Sequence, residues 1–144
     1  MMDKTYCTPS QIEDMTIELI RQLQEYQVKT IHKYQVVVGI KNGGLHISQP
    51  IAQALHLPHR EVHISYYDND TVIENIDFEE NYWNYILLVD DIVDKGKTVR
   101  TFIEKWGHNS QVHIASLFWK PEGKPEPNFY VKITNFWITF PWEI

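Results

Sequence analysis

The stretch Ile86-Leu-Leu-Val-Asp-Asp-Ile-Val-Asp-Lys-Gly-Lys-Thr98 concentrates three carboxylates and a glycine. An apolar run ends in Asp90 and Asp91, Asp94 follows two apolar residues later, and Gly96 opens a turn before Thr98. Ionised carboxylates only accept hydrogen bonds, so Asp90 and Asp91 can hold sugar hydroxyls or the hydration shell of Mg²⁺. Backbone N–H groups between Asp94 and Thr98 point outward from a helix start. With the helix dipole and the Thr98 hydroxyl they form a cradle for a phosphate. Gly96 carries no Cβ and lets the backbone approach that phosphate closely. A strand end alone would account for one aspartate and a helix cap for another. Three carboxylates beside one helix start repel each other, and they persist most easily where hydroxyls, a metal ion or cations compensate.

The elements that must position this segment follow from periodicity. Thr8-Pro9-Ser10-Gln11 reads as a helix start, with Thr8 as cap, Pro9 in the first turn and Gln11 reaching back. Ile12, Met15, Leu19, Ile20 and Leu23 recur at helical spacing, so an amphipathic helix is expected over roughly residues 9–25. Tyr34–Ile40, Glu61–Tyr67, Tyr85–Val89 and Gln111–Trp119 read as strands, and one short strand is expected near Tyr130. Leu45–Leu55 and Thr98–Trp106 read as helices, the former kinked or interrupted at Pro50. Residues 68–83 are polar and acidic and read as a long loop. Alternating strands and helices with continuous apolar strands imply an α/β fold, with a mainly parallel twisted sheet flanked by helices. Ligands bind such sheets beyond the carboxyl ends of the strands, so the loops after Ile40, Tyr67, Val89 and Trp119 should share one edge.

Composition bounds the rest. The 144 residues fit one domain, with a core over about residues 28–120. A small hood is expected from residues 121–144, with a possible contribution from 1–27. A net charge of −6 argues against a nucleic-acid binder, which needs a basic surface. No run of apolar residues is long enough for a membrane span, and the opening residues lack the apolar segment of a secretory leader. Cys7 is the single cysteine, so a reducing cytoplasm is expected, and with no local base it is a poor nucleophile. The seven histidines show no metal-ligand spacing, and His113 reads as structural. Aromatic residues make up 13% of the chain, more apolar surface than one small core needs, so a homodimer or homotetramer is expected.

The central motif resembles the ribose-phosphate signature of the type I phosphoribosyltransferases. Two further stretches strengthen the likeness. Gly39-Ile-Lys-Asn-Gly-Gly-Leu45 looks like that family's pyrophosphate loop. Phe118-Trp-Lys-Pro121 and Phe136-Trp-Ile-Thr-Phe-Pro-Trp-Glu143 look like the base-binding end of the bacterial xanthine-guanine enzymes, the 6-oxopurine branch. These matches run in order over residues 36–143. The resemblance implies a Mg²⁺-dependent transferase joining a purine base to phosphoribosyl pyrophosphate, with release of pyrophosphate. By motif position, Asp90 and Asp91 would hold the ribose hydroxyls, with Asp91 the Mg²⁺ contact. Asp94 would act as the catalytic residue facing N7 of the purine. Asp94, Lys95, Gly96, Lys97 and Thr98 would wrap the 5′-phosphate, and Lys41, Asn42 and Gly43 would bind pyrophosphate. Lys120 would donate to the 6-oxo group, Trp137 would stack on the base, and Ile138 would read the 2-position through its backbone. Trp142 is assigned to packing. A lysine donor at O6 leaves adenine, whose 6-amino group also donates, with an unpaired contact worth about 1–3 kcal/mol.

Three departures from the family pattern stand out. Lys95 replaces a small hydroxyl residue, and Asn42 stands where the xanthine-guanine enzymes carry arginine. The closing loop, residues 68–83, is short and acidic, and no Lys or Arg occurs between Arg60 and Lys95. A neighbouring subunit is one source for the missing cation. These losses make a non-catalytic sensor of a purine nucleotide or of phosphoribosyl pyrophosphate the principal rival. An unrelated doubly wound signalling domain is a remote second, disfavoured by the matched tail.

Overall fold

A computed structural model describes residues 4–67 and 70–143. Asp68, part of the expected acidic loop, lies outside the described residues. The elements in chain order are β1 (Lys4–Tyr6), α1 (Pro9–Lys29), β2 (Val36–Lys41), α2 (Leu45–Leu55), β3 (His59–Tyr67), β4 (Asp70–Asn75), β5 (Tyr85–Val93), α3 (Lys97–Trp106), β6 (Gln111–Trp119), β7 (Phe129–Ile133) and β8 (Trp137–Thr139). A 3₁₀ turn over Pro141–Glu143 follows. Six strands form one sheet in the order β4-β3-β2-β5-β6-β7, parallel except for the β3–β4 hairpin.

Alternate residues of the central strands serve two cores, which is why those strands read as continuous apolar runs. Val37, Leu87, Val89, Ala115 and Leu117 face a layer containing α1 and α2. Val36, Val38, Ile40, Ile86, Leu88 and Ile114 face the other side with Val99, Phe102 and Trp106 of α3. The chain runs from β2 through α2 to β3 on one side, then returns to β5 on the other side of β2. That reversal opens a crevice between the carboxyl ends of β2 and β5, the place where open α/β sheets bind ligands.

α1 begins as its sequence directs. The Thr8 hydroxyl accepts from the Gln11 amide at 3.1 Å, and the Gln11 side chain accepts from the Thr8 amide at 2.8 Å. The helix continues to Lys29, its exposed face carrying Glu18–Arg21–Glu25–Lys29 ion pairs. α2 runs without interruption through Pro50, because buried Ile47, Ser48, Ile51 and Ala52 hold it to the sheet on both sides of the proline. No helix among the described residues is long and apolar enough to cross a membrane.

Two regions differ from expectation. Residues 70–75 are not loop but strand β4, paired in antiparallel register with β3 from Val62↔Asn75 to Tyr67↔Asp70. All six residues of this edge strand are exposed, so no buried face imposes an alternating pattern on its sequence. The second region is the small sheet, where β8 pairs in parallel with β1 through Lys4↔Trp137, Thr5↔Ile138 and Tyr6↔Thr139. The partner of the tail is therefore the segment before α1. Helix α1 itself packs on the main sheet through fully buried Leu19 and Leu23.

One polar cluster inside the α1 face makes a testable contribution to stability. His113 Nδ1 hydrogen-bonds Tyr34 Oη, within ring contact of Tyr26 and Phe129. Burial holds the His113 pKa below its ordinary value. The unfolded chain therefore takes up this proton first as pH falls through about 6.5. The contribution is complete above that pH and is lost towards the lower folded-state pKa. Asp90 and Asp91 act in the opposite sense, because burial raises both. The expected result is therefore stated as a difference: between pH 7.5 and 5, wild type loses more thermal stability than His113→Gln, measured as melting temperature.

Candidate active site

The two loops that meet at the crevice are in direct contact. After β2 the chain turns at Lys41-Asn42-Gly43-Gly44, with a cis Lys41–Asn42 peptide. A Cβ on Gly43 would lie 2.0 Å from Asp91 Oδ2 and 3.1 Å from Trp142 Nε1. Only glycine lets this loop lie against the carboxylate. The side chains of Lys41 and Asn42 are exposed.

Asp90 and Asp91 close the crevice from the end of β5. The Asp91 amide donates to Asp90 Oδ1 at 2.9 Å, and the Ile92 amide to Asp91 Oδ1 at 2.8 Å. Burial and then the neighbouring Asp91 charge push the Asp90 carboxyl well above the ordinary range. Burial also raises Asp91, opposed by the hydrogen bond its Oδ1 accepts from the Ile92 amide. An adjacent acid pair disfavoured as a double anion calls for a counter-cation or for hydroxyl donors.

The Asp94–Lys97 turn and the start of α3 enclose a recess of about 300 Å³ lined by residues 90–99. Gly96 has φ +82, and a Cβ there would come 2.0 Å from the Lys124 carbonyl. The turn is held from below by a second turn that sequence reading did not single out. Arg100 Nη1 donates to the Lys95 carbonyl at 2.9 Å and also to the Lys124 carbonyl. A Cβ on Gly123 would meet the Asp94 carbonyl at 2.2 Å, and Trp119 Nε1 donates to the Gly123 carbonyl at 2.8 Å. The Gly123-Lys124-Pro125 run was the available signal for this turn. Lys95 lines the recess and is exposed. The Lys97 ammonium lies 4.2 Å from the centre of the Tyr66 ring, and Thr98 Oγ1 accepts from Tyr66 Oη at 3.5 Å.

A second recess, of about 130 Å³, adjoins the first. Asp91, Ile92 and Asp94 line both. Its other walls are Lys120, Trp137, Ile138, Phe140 and Glu143. Lys120 is only 4% exposed, and its Nζ lies 3.3 Å from Asp94 Oδ1 and 5.9 Å from the centre of the Trp137 ring. Trp137 is about half exposed on the rim, and Ile138 is buried beneath it. The fold thus gathers Asp90, Asp91, Asp94 to Thr98, Lys120, Trp137 and Ile138 around two joined recesses. Gly43 abuts them, whereas Lys41 and Asn42 line neither recess.

Trp142 packs, its ring stacked on those of His46 and Phe140. One reading is corrected by position: Asp77, Glu79 and Glu80 of the acidic segment do not face the crevice. β4 carries the chain back to the amino-terminal edge of the sheet, where Asp77 Oδ1 accepts from the Glu61 amide at 2.5 Å. Glu79 pairs with Arg60 at 2.7 Å, and Glu80 accepts from the Trp106 indole. Glu61 and Tyr67 are six residues apart along β3, which is roughly 20 Å of strand. These acids therefore anchor the far edge, with Phe78 inserted against Phe102 and Trp106.

Comparison with known proteins agrees with this geometry. The profile of the "Phosphoribosyl transferase domain" matches residues 9–144. A xanthine-guanine phosphoribosyltransferase of Chromohalobacter salexigens is 33% identical over 77% of this chain and 70% of its own length. One from Roseobacter denitrificans is 36% identical over 41% of this chain and 33% of its own length. Among solved structures, a purine phosphoribosyltransferase from Pyrococcus horikoshii superposes with a TM-score of 0.84 at 30% identity, covering 99% of this chain and 96% of that one. The xanthine-guanine-hypoxanthine enzyme of Helicobacter pylori shares the fold, with a TM-score of 0.82 at 23% identity over 98% and 94% of the two chains. A parallel sheet with its carboxylate-rich turn at the strand reversal, and a profile match spanning nearly the whole chain, lead to one conclusion: the chain belongs to the phosphoribosyltransferase family.

Proposed function

We propose that this enzyme transfers a 5-phosphoribosyl group from phosphoribosyl pyrophosphate to N9 of a 6-oxopurine, giving a nucleoside monophosphate and pyrophosphate, in purine salvage. The observation that carries the reading is the Lys120–Asp94 pair, 3.3 Å apart where the two recesses join. A buried ammonium beside a carboxylate matches the Hoogsteen edge of an oxopurine: a donor for O6 and an acceptor for the N7 proton. With the ribose phosphate in the larger recess and the base in the smaller, the sugar C1 lies at their junction.

In this reading the C1–oxygen bond to pyrophosphate breaks as the N9 lone pair forms the C1–N9 bond, and Asp94 takes the proton from N7. Trp137 stacks on the base, the Ile138 backbone reads its 2-position, and both hold N9 in line with C1. Asp90 and Asp91 accept from the ribose hydroxyls, and the amides from Lys95 to Thr98 hold the 5′-phosphate with the Lys95 and Lys97 charges nearby. Lys41, Asn42 and Gly43 offer the backbone against which pyrophosphate departs. The raised acid pair fits a divalent cation, and the described residues contain no group of three or more acidic, histidine or cysteine ligands that could hold one by itself. That combination suits Mg²⁺ brought in on substrate phosphates and touched by Asp91. When bound, Mg²⁺ would neutralise charge on the leaving group. We place the enzyme in the cytoplasm, as one catalytic unit with a small hood, and as a homodimer or homotetramer.

The test is turnover. Protein, Mg²⁺ and phosphoribosyl pyrophosphate are mixed separately with xanthine, guanine, hypoxanthine and adenine. Turnover of at least one 6-oxopurine, with adenine inert and chelator abolishing the signal, supports the reading. Folded protein that binds GMP without any turnover overturns it in favour of a nucleotide sensor.

A further expected outcome concerns Gly96. Alanine there must adopt a positive φ and meet the Lys124 carbonyl. Gly96→Ala is expected to cost about 1–3 kcal/mol of stability from backbone strain and to weaken GMP binding, seen by denaturant unfolding and calorimetry.

A further inference from the structure

Arg100 stands one turn into α3 and lines neither recess. Its guanidinium folds back beneath the start of the helix. Nη1 donates to the Lys95 carbonyl at 2.9 Å and also to the Lys124 carbonyl, in the turn after β6. The Arg100 amide donates to the Gly96 carbonyl at 3.0 Å. One residue therefore holds both peptide groups of Gly96, the one before it by side chain and the one after it by main chain. These peptides are trans, and a trans peptide points its C=O and its N–H to opposite sides. With the Lys95 and Gly96 carbonyls drawn towards Arg100, the Gly96 and Lys97 N–H groups point the other way. Gly96 and Lys97 both line the larger recess. They are the cap and the first residue of α3, whose amides have no acceptor within the helix.

Glycine is what makes this hold necessary. Gly96 has φ +82, and glycine takes either sign of φ about as readily. Turning over the Lys95–Gly96 peptide interconverts two common turn types, a small change where glycine follows. The reversed peptide presents a carbonyl to the recess in place of a donor. A Cβ on Gly96 would lie 2.9 Å from Arg100 Nη1, so the same glycine makes room for the guanidinium. A guanidinium stays protonated and only donates, which suits a pair of carbonyls.

We infer that Arg100 is a positioning residue for the phosphate end of the substrate: by anchoring the Lys95 carbonyl it presets the Gly96 N–H towards a phosphate monoester. The inference rests on the function proposed above, which seats the ribose 5′-phosphate in the larger recess. In this role Arg100 touches no phosphate oxygen itself. Affinity is gained because the donor is ordered before the ligand arrives. A nucleoside without a phosphate makes no use of that N–H, so its binding is independent of Arg100.

The experiment compares wild type with Arg100→Met, which keeps most of the side chain's length and removes its donors. Calorimetry is expected to show GMP bound about tenfold more weakly by Arg100→Met, the order of one hydrogen bond to a charged group. Guanosine, which lacks the phosphate, should bind the two proteins within about twofold of each other when titrated by NMR. The variant also loses a positive charge, and salt separates that effect. Raising NaCl from about 0.05 M to about 0.5 M shrinks the screening length to about 4 Å, so a through-space attraction fades while a preset peptide persists. The ratio of GMP affinities should therefore survive at high salt. A second readout needs no variant. In wild type labelled with ¹⁵N-glycine, which has six glycines, the Gly96 amide proton should move downfield on adding GMP and stay in place with guanosine. Unchanged GMP affinity, equal weakening of GMP and guanosine, a ratio that collapses at high salt, or a Gly96 amide indifferent to GMP would overturn the inference. A phosphate-specific loss with the Gly96 shift, in protein that turns over no purine with phosphoribosyl pyrophosphate, supports the inference and counts against the transferase reading alone.

Discussion

Asp94→Asn is expected to lower kcat by about 10²- to 10⁴-fold, the range for loss of a positioned proton acceptor, while leaving GMP affinity within a few-fold. The amide is nearly isosteric, so the walls of both recesses survive. What it loses is charge and basicity. Asp94 Oδ1 lies 3.3 Å from the Lys120 ammonium, and the carboxylate lines both the base recess and the phosphate recess. As positive charge grows on the sugar C1 and on the base, a neighbouring carboxylate is favoured more in the transition state than in the ground state. An amide can accept a hydrogen bond at N7 but cannot take its proton. The measurement is steady-state kinetics with calorimetric titration of GMP. Equal losses in turnover and binding would make Asp94 a structural residue of the turn, and the proposed proton transfer would have to move elsewhere.

Lys120→Gln is expected to change specificity as well as rate. Lys120 is almost fully buried, its amide donates to the Val93 carbonyl at 2.9 Å, and its carbonyl accepts from the Gly123 amide at 2.7 Å. The backbone therefore keeps its place when the side chain changes. Loss of a charge-assisted hydrogen bond costs about 1.5–3 kcal/mol, so kcat/KM for guanine or hypoxanthine should fall roughly ten- to a hundredfold. Asp94, less buried than Lys120, can recruit water and does not add the full cost of an unpaired charge. An ammonium only donates and refuses the 6-amino group of adenine. A glutamine amide can turn its carbonyl to that group. The ratio of oxopurine to adenine kcat/KM should narrow, and the ratio is the informative quantity because general damage to the site lowers both terms. An unchanged ratio would mean that another group reads the 6-position.

Much of this protein was legible without a structure where the information is local. Thr8 and Gln11 are three residues apart, and their reciprocal cap forms whatever the rest of the chain does. The central strands announce themselves because each is buried on both faces, which forces a continuous apolar sequence. The Asp90–Thr98 segment carries its chemistry within nine consecutive residues, so spacing alone brings its carboxylates, its glycine and its helix start together. Lys120 and Trp137 came from likeness to a family, since nothing in their own neighbourhood distinguishes them from a surface lysine and a core aromatic.

What tertiary structure decided depends on contacts between residues distant in sequence. β4 has no buried face, so backbone pairing to β3 makes it a strand and no side-chain pattern reports it. That pairing also carries Asp77, Glu79 and Glu80 to the edge opposite the crevice, and an acidic run read as hostile to pyrophosphate becomes an anchor for Arg60 and Trp106. β1 and β8 are three residues each, too short to show a period, and find each other from opposite ends of the chain. The support beneath the phosphate turn joins Arg100, Gly123 and Lys124 to Lys95 and Asp94. The Trp142 indole and the Asp91 carboxylate both lie against Gly43, although the three residues are far apart in sequence. Sequence by itself determined which residues could do the chemistry. Which charges face the crevice, and which side chains hold the reacting ones in place, was decided by the strand order, because strand order sets distances that residue spacing does not.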